Sequence, residues 1–270
     1  MKLNDYSYKI LGEDMRKLKY LVLIVMSIFS FYISDKLLLM VEGMSPLMQT
    51  INEVKDFKEY EPVDAVINGN TIIPGKKGRT INKRETYLKM NDFGTFNETF
   101  FVYDYHSPDV SLYDNLDKVI IKGNSDSDIY LIVDSDTFDD YLVENKINFT
   151  KLINKENKIK KNDYISYINS NNEETEFYDL NYYLKRNKKN NKICLVGISN
   201  IKVCKELKYF LIEPNLNMFH SNVASVKSKL KGGDILYVHD NVSLAELKVI
   251  ISEINYKGFR LANIKELIKE

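Results

Sequence analysis

The sequence predicts an α/β fold behind an N-terminal membrane helix, and three observations carry that prediction. A long apolar run lies near the start of the chain, compact strand-like runs alternate with helical periods beyond Lys122, and two helix-start signatures close it. At 270 residues there is room for one medium domain with appendages, or for two small domains.

From Leu18 to Ile33 the chain reads LKYLVLIVMSIFSFYI, and after Asp35 and Lys36 it resumes with LLLMV to Val41. A bilayer core needs about 20 apolar residues. A span over 18–42 meets this if Lys19 and Lys36 reach the two interfaces. A cleaved signal peptide and a buried core helix are the alternatives. No small-x-small cleavage site is present, and only Ser27 and Ser30 interrupt residues 20–33, so no polar face forms. Lys2, Lys9, Arg16, Lys17 and Lys19 precede or open the span. The positive-inside rule then makes 1–17 a cytoplasmic tail and places the rest outside the cell membrane, with lipid as the partner of 18–42.

Residues 43–62 have no strong period and end at Pro62, which suits a short stalk. Residues 63–125 form a small β-rich region. DAVI, Asn68-Gly69-Asn70 and TIIP give a hairpin signal, FNETFFVYDY (96–105) reads as a strand, and His106-Ser107-Pro108-Asp109 reads as a turn.

Residues 126–270 form the α/β domain. IYLIV (129–133) is apolar on both faces, as in a buried parallel sheet. Thr137 can cap a short helix that presents Phe138, Tyr141 and Leu142. INFTKLI (147–153), YISYI (164–168), ICLV (193–196), YFLI (209–212) and ILYV (235–238) are the following strands, with room for crossovers between them. Ser243 and Glu246 make a capping box, Leu244, Leu247, Ile251 and Ile254 make one helix face, and Gly258 ends the helix. Asn263 and Glu266 open the last helix in the same way.

The 38 basic and 38 acidic side chains cancel, so no global field favours nucleic acid as a partner. The basic runs Lys151–Lys161 and Lys185–Lys192 are interleaved with Asn and Glu and read as solvated faces. Two cysteines exclude a disulfide-dense scaffold and a C-x-x-C zinc site. Cys194 and Cys204 can bridge if one lies on a strand and the other on the helix after it. Two separate buried thiols are the alternative.

GGDILYVHD (232–240), the helix after it and KGFRLANIKELI (257–268) resemble the closing segment of polysaccharide deacetylases of the NodB homology family. Leu236-Tyr237-Val238-His239 matches the family's Leu-x-x-His, and IYLIVDSD (129–136) stands where the family has its first strand and Thr-Phe-Asp-Asp-Gly. The resemblance implies an incomplete or deformed (β/α) barrel. It covers about residues 126–270, and 61–124 resembles an N-terminal extension of membrane-anchored Gram-positive members. Such proteins hydrolyse the N-acetyl group of chitin-like glycans or peptidoglycan. An Asp and two His hold a divalent metal, a second Asp acts as base, and the His of Leu-x-x-His acts as acid.

By this alignment Asp134 takes the base position and His239 the acid position, while Ser135 replaces the metal-binding Asp. The three histidines, His106, His220 and His239, are too far apart for the paired-His motif, and Arg-x-Pro-Tyr is absent. His106 and His220 read as surface residues. Thr137-Phe138-Asp139-Asp140 repeats the family letters, but Tyr141 replaces the Gly and the segment reads as a helix cap. Asp136, Tyr237 and Asp240 are candidate binding residues beside the pair. Asp134 and His239 can equally be relics, the imidazole bonding Asp240 or a backbone carbonyl.

The expectation is a catalytically degenerate envelope protein serving as a scaffold or binding cell-wall glycan, with no cofactor. An active N-deacetylase, hydrolysing amide bonds with a metal such as zinc at an atypical site of Asp134, Asp136 and His239, is one alternative. A protein-interaction module is the other.

Overall fold

The computed structural model describes residues 3–153, 165–167, 174–187, 192–198 and 201–269. Tyr164, Ile168 and most of the two basic runs (154–161 and 188–191) lie outside the described residues. Along the chain the elements are α1 (Leu3–Met44), α2 (Pro46–Lys58), β1 (Val66–Asn68), β2 (Thr71–Ile73), β3 (Gly78–Ile81), α3 (Lys83–Phe93), β4 (Tyr103–His106), β5 (Val119–Ile120) and β6 (Asp128–Val133). There follow α4 (Asp139–Glu144), β7 (Thr150–Ile153), β8 (Ile165–Tyr167), α5 (Glu174–Arg186), β9 (Ile193–Leu195), α6 (Ile201–Glu206), β10 (Phe210–Ile212) and β11 (Leu216–Met218). The last are α7 (Val223–Lys229), β12 (Ile235–Val238), α8 (Leu244–Tyr256), β13 (Arg260–Ala262) and α9 (Ile264–Leu267).

Two compact units divide the chain, Met1–Tyr60 with Arg79–Asp104, and Glu61–Gly78 with Tyr105–Glu270. This division differs from a boundary at 125/126, because β1, β2 and β5 pair into the sheet of the second unit. In the first unit, Leu18–Met44 within α1 is long and apolar enough to cross a membrane. Ser45 caps α2, its side chain accepting from the Met48 N–H at 3.1 Å, and Pro46 occupies the first helical position. Ile51, Ile81 and Met90 form the core, and Arg84 of α3 pairs with Asp35 of α1 at 3.4 Å. The expected strand over 96–105 begins only at Tyr103. Asn97 Oδ1 accepts from the Thr99 N–H at 2.9 Å and turns the backbone into a 3-10 helix at Glu98–Phe100.

The second unit holds two sheets, in the orders β1-β2-β5-β10-β9 and β11-β12-β6-β7-β8, with β13 also on β6. The β1–β2 hairpin is antiparallel and every other ladder in these sheets is parallel. Alternation along the strands explains how the sheets pack. Tyr130, Ile132, Ile235 and Tyr237 share an inner core with Ile120, Ile193, Phe210 and Ile212 of the other sheet. Their neighbours Ile129, Leu131, Val133, Leu236 and Val238 face outward onto α4, α7 and α8. Cys194 and Leu211 face outward onto α5 and α6. Each fully buried aliphatic side chain here contributes about 1.5–3 kcal/mol relative to exposure. The architecture is α/β with parallel sheets around one inner core, and the ladders do not close into a barrel among the described residues.

The closing segment folds as its sequence predicts. Ser243 and Glu246 cap each other's backbone N–H groups, and Gly258 follows α8 at φ +77°. Gly232 and Gly233 are required before β12. A Cβ on Gly232 would stand 2.0 Å from the Asp126 carbonyl oxygen, and Gly233 adopts φ +86°. Cys194 of β9 and Cys204 of α6 form a disulfide with a Cα separation of 6.2 Å.

Candidate functional site

Strands β6 and β12 are parallel neighbours with Val133 opposite Val238, so the residues after them, Asp134 and His239, emerge side by side at the C-terminal ends. In open parallel sheets that end is where ligands bind. Tyr237 points inward from β12, and its hydroxyl donates to Asp134 Oδ2 at 2.5 Å. The His239 ring lies 4.1 Å from the Tyr237 ring and stacks on Phe219 at 4.0 Å and 23°. Phe219 is carried there by β11, since the His239 N–H donates to the Met218 carbonyl at 3.1 Å.

Burial dominates the electrostatics. It raises the Asp134 carboxyl above its ordinary range, Asp240 adding to the rise, while the Tyr237 hydrogen bond and His239 oppose it. Burial lowers His239 against the pull of Asp134 and Asp240. The Tyr237 phenol is pushed up by burial and by donating to Asp134. Asp134 Oδ1 and His239 Nε2 are both buried without a hydrogen-bond partner. Buried polar atoms are normally satisfied, so this orphan pair at one strand end leaves an acceptor and a ring nitrogen uncompensated. His239 Nε2 bonds neither Asp240 nor a backbone carbonyl.

Asp136 is engaged elsewhere. The Lys151 ammonium of β7 pairs with Asp136 Oδ1 and, at 2.5 Å, with Asp139 Oδ2 of α4. Lys151 stands opposite Val133 and therefore faces the helix side of the sheet, and its side chain is only 3% exposed. This corrects its assignment to a solvated basic run. A Lys inside a strand has to find carboxylates if it is buried, and Asp136 and Asp139 lie close in sequence to supply them. Thr137 is not the helix cap either. Ser135 Oγ accepts from the Thr137 N–H at 3.3 Å and starts a 3-10 turn that runs into α4. Asp139 and Asp140 occupy the first turn of α4, where the helix dipole favours them.

The donors present do not fit a divalent ion. Ser135 Oγ is hydrogen-bonded to Thr137 Oγ1 at 2.8 Å, and Lys151 already supplies a cation to Asp136. No group of three or more His, Cys, Asp or Glu among the described residues could hold a metal. Asp134, Tyr237 and His239 are thus brought together, Asp240 acts on them through its charge, and Asp136 belongs to the Lys151 cluster. Phe219 was not foreseen because β11 has no strong apolar run. His106 and His220 are exposed, as expected, His220 Nδ1 lying 2.6 Å from Glu246.

No family model matches the chain, and no curated protein sequence matches it. Among solved structures the chain is similar to BA3943, a CE4 family pseudoenzyme from Bacillus anthracis, at 18% identity and TM-score 0.57, covering 84% of this chain and 96% of that one. A mutant of BA3943 with restored enzymatic activity matches at 17% identity and TM-score 0.57, covering 84% and 99%. A family 4 carbohydrate esterase from Bacillus anthracis matches at 18% identity and TM-score 0.45, covering 58% and 92%. The chain has the fold of the CE4 polysaccharide deacetylases.

Proposed function

We propose that this chain is a single-pass protein of the cell membrane, N-terminus inside, whose outer unit is a catalytically degenerate polysaccharide deacetylase that binds cell-envelope glycan. The observation that carries this reading is the Tyr237–Asp134 hydrogen bond in a site whose metal-ligand position is Ser135. A carboxylate held by a phenol, without a metal donor set beside it, is arranged for recognition. Phe219 and His239 offer a ring surface, and Asp134 Oδ1 and His239 Nε2 offer hydrogen bonds to hydroxyl or amide groups of a sugar. The disulfide between Cys194 and Cys204 supports an oxidising compartment outside the membrane.

The second reading, an active N-deacetylase, draws support from the upward shift of Asp134 beside an imidazole, a pattern typical of acid–base sites. Purified full-length protein in detergent, supplied with zinc or cobalt, separates the two. We expect no acetate release from N-acetylglucosamine oligomers or peptidoglycan, and glycan binding that Phe219→Ala weakens. Acetate release that disappears in His239→Ala would overturn the degenerate reading.

A further inference from the structure

The apolar stretch Leu18–Met44 of α1 is 27 residues long, more than a bilayer core requires. At about 1.5 Å per residue it measures roughly 40 Å, against a core of about 30 Å. Counted from Lys19 at the inner boundary, about 20 residues bring the outer edge of the hydrocarbon near Leu39. Asp35 then lies about 6 Å inside that edge. A carboxylate at that depth needs a partner.

Helix α3, in the same compact unit, supplies one. Arg84 in its first turn reaches Asp35 Oδ1 at 3.4 Å, and its Nε stands 4.0 Å from Glu42, which is buried about two turns further along the same face of α1. Lys36 lies over the Tyr32 ring at 5.6 Å, and its long stem lets the ammonium reach the headgroups. Away from the charged face, Leu37, Met40, Val41 and Met44 recur at i, i+3, i+4 and i+7 and are 58–69% exposed. They continue the exposed apolar surface of residues 20–33 with no break in the helix. Leu88, one turn beyond Arg84 on α3, is exposed as well.

We propose that the outer part of the first unit is seated in the outer leaflet, with lipid covering Leu37, Met40, Val41 and Met44 and the Arg84–Asp35 pair at the headgroup boundary. This rests on the reading of α1 as a membrane span. Lipid is favoured over a second copy of the chain because the face prolongs the span and because Arg84 neutralises the carboxylate that would otherwise keep Asp35 in water. The segment expected as a stalk is instead helix α2, whose Ile51 shares a core with Met90 of α3, so the unit sits on the bilayer.

The test uses full-length protein in phosphatidylcholine vesicles. Both native cysteines are in the disulfide, so Val25→Cys, Met40→Cys and Val249→Cys each offer one site for a fluorophore. Nitroxide-bearing lipids then report depth by quenching. Labels at 25 and 40 should both be quenched, the one at 40 most by a shallow nitroxide, and the label at 249 by neither. Quenching at 25 without quenching at 40 overturns the proposal and leaves the span standing, and self-quenching between labels at 40 would then give the face to a second copy. No quenching at 25 removes the span, and the proposal with it. Arg84→Ala leaves Asp35 without its cation, so the helix should ride outward and shallow quenching at 40 should fall about two-fold. Unaltered quenching in that variant would overturn the role given to the Arg84–Asp35 pair.

Discussion

The two sides of β6 handle buried charge in opposite ways. On the helix side, the Lys151 ammonium is enclosed with Asp136 and Asp139, and opposite charges face each other. On the inner side, the partly buried Asp134 carboxyl has a phenol rather than a cation as its partner, and His239 Nε2 beside it is buried without a hydrogen bond. A compensated cluster holds a fold together, whereas an uncompensated one costs stability and persists where a ligand completes it. The Lys151 cluster therefore reads as structure, and the Asp134–Tyr237–His239 cluster as the remnant or the present form of a binding site.

The largest expected effect tests the structural half. Lys151→Met leaves Asp139, 3% exposed at its side chain, without its ammonium, and breaking a buried pair from one side costs about 3–5 kcal/mol. Urea unfolding should show that loss. Lys151→Met combined with Asp139→Leu should recover most of it, because both charges are then gone. A single variant as stable as the parent would show that the cluster is not compensating anything.

Sequence legibility follows the same division between local and distant contacts. The closing segment was readable because its signals are local: Ser243 with Glu246, Gly258 after the helix, and Asn263 with Glu266. The strands around 129–133 and 235–238 were readable as apolar runs. Their adjacency is non-local, and only the family resemblance placed Asp134 beside His239. Two things were hidden for physical reasons. Lys151 looked like the start of a charged run because burial depends on which way a strand alternates, and that is fixed by pairing with β6. The region 63–125 looked self-contained because its strands are short, yet β5 carries two buried residues into a sheet built mostly from later segments.

A middle-sized effect tests the functional half. Tyr237→Phe removes the donor to Asp134 Oδ2 and leaves a second oxygen of that carboxyl unsatisfied, a change worth about 1–3 kcal/mol. Thermal unfolding should report the loss, and a glycan that binds through Asp134 should lose affinity in the same variant. If stability falls and glycan affinity does not, the hydrogen bond is structural and the contrast between the two sides of β6 weakens.

The smallest effect is a pH dependence confined to the inner side. His239 titrates below its ordinary value in the folded protein, while the unfolded chain takes up that proton near pH 6.5. Its contribution to stability is therefore full above about pH 6.5 and is lost as pH falls toward the folded value. Asp134 has the opposite sign: its folded carboxyl titrates above the unfolded value of about 3.9, so its contribution is full below that and fades as pH rises through the folded value. His239→Gln should remove only the acid-side loss, so the melting temperature of the parent should fall below that of the variant as pH drops from neutrality toward 5. Parallel curves would mean that His239 is solvated enough to titrate normally, and the orphan Nε2 would then be satisfied by water with no ligand required.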